Sequence, residues 1–402
     1  MIGKLLPRRR DELAGDAGGI LVVLPNWMGD VVLASPTLAA LRAHFSGSKI
    51  SFLLRRYVRE IVEGCGWHDE LIFWPDKSAR SGAARNASDT HGDATRATGS
   101  GSAYSGAARR GSASGEEQAA RGVIASLRAS GASTAVLLTN SFRSAWAVWR
   151  AGIPRRVGYA RDWRSALLTD RLRPLKRNGQ FVPSSVLPYY AALAEHLGCP
   201  VVDRALRLAA SPAQEQAGEA LKRHYGLEDG RYALINCGAK FGASKCWLPE
   251  RFAEVGRRIS SELKLRPVLI GAPPEYPLLQ QIAAAAGPDV VCCTNPGTTL
   301  GSLKPVVAGA ALMVCNDTGP RHYAIAYRIP TVTIFGPTHQ EWTDTGYDGE
   351  IKLQAAVDCG PCQLPSCPLD LRCMHGITAD MVMQAAGRLL RQVSSRVAPV
   401  TA

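Results

Sequence analysis

The chain has 402 residues, 46% hydrophobic and 20% charged, with 11 cysteines and a formal net charge of +13. That length allows two or three domains with large cores. The cysteines are too sparse for a disulfide scaffold, and no apolar run reaches the roughly 18 residues of a membrane-spanning helix. The positive balance points to an anionic partner: nucleic acid, an acidic membrane surface or a phosphorylated substrate.

Met1 to Asp16 is basic and then acidic, with no apolar signal-peptide core after it, so a cytoplasmic protein is expected. Residues 20–24 form the first strand. Asn26 to Asp30 is a loop, and Val31 to Phe45 shows helical spacing. Strands at 50–54 and 70–74 flank a helix at 58–65, which makes a β-α-β-α-β run typical of a parallel sheet. From Lys77 to Gly122 there is no Leu, Ile, Val, Phe, Met or Trp. A segment so poor in apolar surface cannot offset its ordering entropy, so 76–122 is expected to be a disordered insertion. Order resumes with a helix near 123–130, a strand at 134–138, a helix at 144–151, a strand at 156–159 and a helix at 186–197.

The second half repeats the theme. Helices are expected at 212–225, 249–263, 275–286 and 323–328, and from about 378. Strands are expected at 232–236, 267–271, 290–293, 311–315 and from 331. The pattern predicts an α/β fold of two doubly wound Rossmann-like domains, 1–205 and 206–402, facing a central cleft. Ligands in such sheets bind at the carboxyl ends of the strands.

The distinctive motifs all follow strands. Asn26-Trp27-Met28-Gly29-Asp30 follows the first strand of the first half, and Cys237 to Lys245 the first strand of the second. Gly271 to Glu275, Asn316 to His322 and Gly336-Pro337-Thr338 follow later ones. Asp317-Thr318-Gly319 opens a helix, where free N–H groups and the helix dipole favour a phosphate. Lys245 or Lys240 can supply a compact positive charge to it. Glu275 can accept hydrogen bonds from a ribose, or simply be a first-turn helix acid. Asp30 can act as a general base from the opposite domain, or as a helix N-cap.

Together these residues resemble bacterial lipopolysaccharide heptosyltransferases of glycosyltransferase family 9, which have the GT-B fold. The resemblance rests on Leu21 to Asp30 with Ser35-Pro36, on Gly238 to Pro249, on Asn316-Asp317-Thr318-Gly319 with His322, and on Phe335 to Thr338. Asn26-Trp27-Met28-Gly29-Asp30 is similar to the branch that adds the second heptose. The resemblance implies a metal-independent, inverting transfer of heptose from ADP-heptose to the heptosylated inner core of lipopolysaccharide. It implies that Asp30 is the catalytic base and that Lys245 stabilises the leaving ADP. Glu275, Asp317, Thr318, Gly319 and His322 then bind the donor, and Lys240, from its own place after the strand, is expected beside them. No cofactor is implied for catalysis, and no nucleic acid is expected as partner. Pro320, Arg321 and Cys246 depart from the usual family pattern.

An acceptor of phosphorylated lipid A carrying 3-deoxy-octulosonic acid and heptose is strongly anionic. Arg55, Arg56, Arg59 and Arg143 are expected to bind it, with Arg150, Arg155, Arg156, Arg161 and Arg164 as further candidates. The same charge suits peripheral contact with the cytoplasmic face of the inner membrane. Cys359, Cys362, Cys367 and Cys373 are spaced for a structural zinc or iron–sulfur site, a disulfide or free thiols. Three rival readings remain from sequence: another family 9 transferase, a nicotinamide oxidoreductase and a non-catalytic module binding RNA or membrane. The second lacks a Gly-x-Gly-x-x-Gly turn after either first strand.

Overall fold

The computed structural model describes residues 18–75, 110–294 and 297–397. The amino-terminal lobe opens with β1 (Gly19–Val23), α1 (Met28–Leu33), α2 (Ser35–His44), β2 (Ile50–Leu54), α3 (Arg59–Val62) and β3 (Glu70–Phe73). It continues with α4 (Arg110–Ala129), β4 (Ala132–Leu137), α5 (Phe142–Arg150) and β5 (Arg155–Tyr159). After β6 (Asp170–Leu172), a small hairpin of β7 (Lys176–Arg177) and β8 (Gln180–Phe181) leads to α6 (Val186–Glu195).

The carboxyl-terminal lobe runs through α7 (Pro212–Tyr225), β9 (Tyr232–Asn236), α8 (Pro249–Leu263), β10 (Arg266–Ile270), α9 (Tyr276–Ala286) and β11 (Val291–Cys293). There follow α10 (Leu303–Ala308), β12 (Leu312–Asn316), α11 (Gly319–Ala326), β13 (Thr331–Phe335), β14 (Glu350–Gln354), α12 (Arg372–His375) and α13 (Ala379–Val397).

Each lobe carries a six-stranded parallel sheet, ordered β3-β2-β1-β4-β5-β6 and β11-β10-β9-β12-β13-β14. The strand order reverses between β1 and β4 in one sheet and between β9 and β12 in the other, and that switch point opens a crevice at the carboxyl ends of the strands. The central strands β1, β2, β9, β12 and β13 are buried almost throughout. Helices on both faces account for their unbroken apolar runs. Pro249 at the first turn of α8 and a Ser211–Gln214 capping box on α7 mark two helix starts that the sequence signals well.

Several expectations are corrected. The expected disorder reached 122, but α4 begins at Arg110. The remainder of that expectation, 76–109, lies outside the described residues. Helix α11 starts at Gly319, four residues earlier than expected. The sequence reading missed α10 and β14 altogether, and with them β6, the β7–β8 hairpin and the short α12.

A polar joint ties the lobes away from the motif loops. Lys304, fully buried on α10, donates to the carbonyls of Glu63 (2.7 Å) and Ala209 (2.8 Å) and to Gln214 Oε1 (3.1 Å). Burial pushes its pKa down to about 8. Glu60 accepts from the Gly301 N–H at 2.9 Å, and its carbonyl accepts from Gln214 Nε2 at 3.0 Å.

Candidate active site

Helix α1 from one lobe packs against α11 from the other, and glycines set their separation. A Cβ on Gly29 would lie 2.9 Å from His322 Cδ2, and one on Gly319 would lie 2.7 Å from Met28 Sδ. This contact brings Asp30, in the first turn of α1, to the Asn316–His322 loop. The N-cap of α1 is Trp27, and it makes no side-chain capping bond. Asp30 therefore does not cap its helix. Burial first, and then Asp317, lift its pKa to about 6, while Lys245 pulls it down.

Lys245 Nζ bonds Asp317 Oδ2 at 2.5 Å and the Asp317 carbonyl at 3.2 Å, and lies 5.1 Å from the Phe241 ring centre. Burial alone would raise the Asp317 pKa, but Lys245 and Arg321 hold it below the ordinary carboxylate value. Thr338 donates to the same oxygen at 3.0 Å. His322 is buried, with Nδ1 unpartnered. Burial and then Arg321 push its pKa down to about 3, which keeps the imidazole neutral at physiological pH.

Asparagines at the ends of two adjacent strands lock these loops together. Asn236, last in β9, accepts from the Thr318 hydroxyl at 2.8 Å and donates to Ile270 O at 3.0 Å. Asn316, last in β12, donates to Cys237 O at 2.8 Å and accepts from the Trp247 N–H at 3.1 Å. The Trp247 indole donates to Ile377 O at 3.0 Å. The Lys245 loop is thus pinned from beneath. Sequence reasoning missed Asn236 and Trp247 as positioning groups, although an Asn closing each of two parallel strands was a readable signal.

The remaining expected site residues separate into groups. The Glu275 carboxylate accepts from the Ala272 N–H at 2.7 Å and lies so close to Gly238 that a Cβ there would overlap it. It therefore sits at the β9–β10 rim with the other motifs. Lys240 reaches across the lobes instead, with its Nζ 5.4 Å from the Trp27 ring centre and 5.0 Å from that of Tyr57.

Arg55, Arg56 and Arg59 follow β2 and Arg143 follows β4, at the carboxyl rim. Arg55 donates to Pro75 O at 3.0 Å, and Arg59 meets Glu63 at 3.4 Å. Arg56 stacks 4.5 Å from Phe73, and Arg143 lies 5.0 Å from Trp74. Other arginine candidates are corrected. Arg164 is fully buried and holds the carbonyls of Tyr159 and Thr139, so it is structural. Arg155 and Arg156 open β5 and Arg150 ends α5, which puts them at the wrong end of the strands.

Of the four clustered cysteines, Cys359, Cys362 and Cys367 lie in the loop after β14 and the buried Cys373 lies in α12; Cys362 is exposed, and none is in a disulfide. Burial first, and then the other three thiols, push the Cys373 pKa up. Among the described residues no three His, Cys, Asp or Glu groups converge into a metal site, so these thiols do not fit one as arranged. Their loop instead braces the Lys245 loop, with Leu364 O accepting from Ser244 Oγ at 2.6 Å and Pro365 O from Ser244 N at 3.2 Å.

A family model described as glycosyltransferase family 9 (heptosyltransferase) matches residues 121–371. Lipopolysaccharide heptosyltransferase 2 of Escherichia coli K12 is 26% identical over 332 residues, covering 81% of this chain and 84% of the relative. Lipooligosaccharide heptosyltransferase 2 of Campylobacter jejuni is 31% identical over 171 residues, and there the chain spans 53% of the relative's length and 41% of its own. A solved structure of E. coli ADP-heptose lipopolysaccharide heptosyltransferase II superposes with a TM-score of 0.69 at 21% identity, covering 94% of this chain and 99% of that one. The last likeness shows the fold.

Proposed function

The chain belongs to glycosyltransferase family 9, and from that premise we propose that it moves L-glycero-D-manno-heptose from ADP-heptose to the heptosylated inner core of lipopolysaccharide, with inversion. The reading rests above all on one juxtaposition. A carboxylate whose pKa burial lifts to about 6, Asp30, faces a lysine–aspartate pair, Lys245–Asp317, across the contact between the lobes. The names of the relatives supply the sugar and its nucleotide. The family match, together with this site, sets aside a non-catalytic basic module.

On this reading 1–205 is the acceptor lobe and 206–402 the nucleotide-sugar lobe. The ionised Asp30 takes the proton of the acceptor hydroxyl as its oxygen attacks the anomeric carbon. The bond from that carbon to the diphosphate breaks, and both of its electrons leave with ADP. Lys245 and the first turn of α11 stabilise the growing diphosphate charge, and this stabilisation is larger in the transition state than in the ground state. The neutral His322 can give or accept a hydrogen bond without adding charge. Glu275 is assigned to the ribose and Lys240 to the donor's outer edge. No metal or cofactor is needed for these steps. Arg55, Arg56, Arg59 and Arg143 grip the anionic acceptor. The enzyme works at the cytoplasmic face of the inner membrane, in peripheral contact with it. Among the described residues no helix is long and apolar enough to cross a membrane.

The test is the configuration of the product. With ADP-L-glycero-β-D-manno-heptose, proton NMR is expected to show a new α-linked heptose. A β-linked product, or transfer only from a different nucleotide sugar, would overturn the reading.

A further inference from the structure

The steps above leave Arg321 unused, yet it is fully buried directly behind the site. Its Nε and one terminal nitrogen donate to the two oxygens of Glu350 at 2.5 and 2.9 Å. The other terminal nitrogen donates to Thr343 Oγ1 at 2.7 Å and reaches Asp317 Oδ1 at 3.4 Å. The Thr343 hydroxyl, having accepted from Arg321, points its own proton at the same Asp317 oxygen, 3.4 Å away. Glu350 also accepts from Thr333 Oγ1 at 2.5 Å, and its side chain is only 1% exposed. The two faces of the Asp317 carboxylate are therefore held differently: Oδ1 by Arg321 and Thr343, Oδ2 by Lys245 and Thr338.

A buried ion pair is a poor device for stability, because hydrophobic groups of equal volume usually serve a fold as well. The bidentate Arg321–Glu350 clamp provides something that hydrophobic groups cannot. It sets a cation at a fixed place behind a carboxylate whose other side holds a lysine. If Lys245 were the only cation on Asp317, swinging it toward a diphosphate would strand a buried charge. With Arg321 and Thr343 in place, Asp317 stays compensated when the lysine turns away.

We propose that Arg321 is a positioning residue: clamped by Glu350 and assisted by Thr343, it holds Asp317 from behind and frees Lys245 to engage the donor diphosphate. The proposal rests on the donor site assigned above.

The first variant is Thr343→Val, nearly isosteric, which cuts the hydroxyl bridge to Asp317 and leaves the Arg321–Glu350 clamp intact. The second is Arg321→Met with Glu350→Met, which removes the clamp without leaving either charge alone. ADP dissociation constants by calorimetry, turnover and thermal melting are measured on both. Thr343→Val is expected to weaken ADP several-fold and the paired variant about tenfold or more. Both should melt near the wild type, with turnover falling further than affinity. Arg321→Lys, with Glu350 kept, should recover part of the ADP affinity. If Thr343→Val and the folded paired variant both bind ADP and turn over like the wild type, the clamp is structural and the proposal falls. If the wild type binds ADP but transfers no heptose, the functional reading fails, and the ADP comparison still decides the role of Arg321.

Discussion

Asp30 carries two opposed demands, because the pocket that tunes it also penalises its charge. Burial disfavours the carboxylate and lifts the pKa from 3.8 to about 6. A base must be ionised to act, so kcat/KM should rise with pH through an apparent pKa near 6 and level off above it. Stability runs the other way. The folded state binds the proton more tightly than the unfolded state does, so ionisation costs stability as pH rises from about 4 through 6. Asp30→Asn should therefore abolish transfer, keep ADP binding, and raise stability at pH 7.5 by on the order of 1–3 kcal/mol. At pH 3.5 the stability gain should vanish. Denaturant unfolding at the two pH values, beside the ADP affinity, checks all three, and a variant that loses ADP binding would count against the base assignment. Lys245→Ala should lower turnover by roughly two to three orders of magnitude. It should also move the acid limb to higher pH, since Lys245 lowers the Asp30 pKa. Unchanged turnover would shift the role to Lys240. Asp30, Lys245 and Asp317 were legible because each follows a predicted strand. Glu350 was not, because it pairs with Arg321 across 29 residues and gives no local signal.

Among the elements, the α1–α11 contact carries the proposed pairing of Asp30 with Lys245 and Asp317. Gly29 and Gly319 let the two helices approach, but their neighbours differ in compliance. The Cβ of Gly29→Ala would press on the buried His322 ring, whereas that of Gly319→Ala would press on a flexible Met28 side chain. Gly29→Ala should therefore lower kcat/KM more, by about a hundredfold if the ring shifts near 1 Å, with the far-UV circular dichroism unchanged. Equal effects from the two substitutions would argue against a packed contact. Most elements were readable because their strands are buried on both faces and their helices have clear starts. Those missed have physical reasons. Glu350-Ile351-Lys352-Leu353-Gln354 alternates polar with apolar residues, as a half-buried edge strand does, and is passed over when only unbroken apolar runs are read as strands. Leu303–Ala308 is short and carries an internal Pro305. The start of α4 is Arg-Gly-Ser-Ala-Ser-Gly, with no apolar stripe for periodicity to reveal.

At the scale of the molecule, two lobes built on sheets of the same order meet at the α1–α11 contact and at the Lys304 joint. Lys304→Met would leave the Glu63 and Ala209 carbonyls and Gln214 Oε1 without their shared donor. The expected loss is about 2–4 kcal/mol of stability, read by denaturant midpoint. A change within about 0.5 kcal/mol would mean that the joint is solvated and does not link the lobes. The two-lobed plan followed from the repeated β-α-β pattern, but the faces that meet could not, because the residues of the joint lie far apart in sequence. The central claim is transfer of heptose from ADP-heptose to an acceptor that already carries one heptose, and ADP release measures it most directly. Purified protein would receive ADP-heptose with lipid A bearing 3-deoxy-octulosonic acid and one core heptose, beside the same acceptor bearing none. ADP release with the heptosylated acceptor and not with the bare one is the predicted result. Release with the bare acceptor alone, or with neither despite measurable ADP binding, would contradict it.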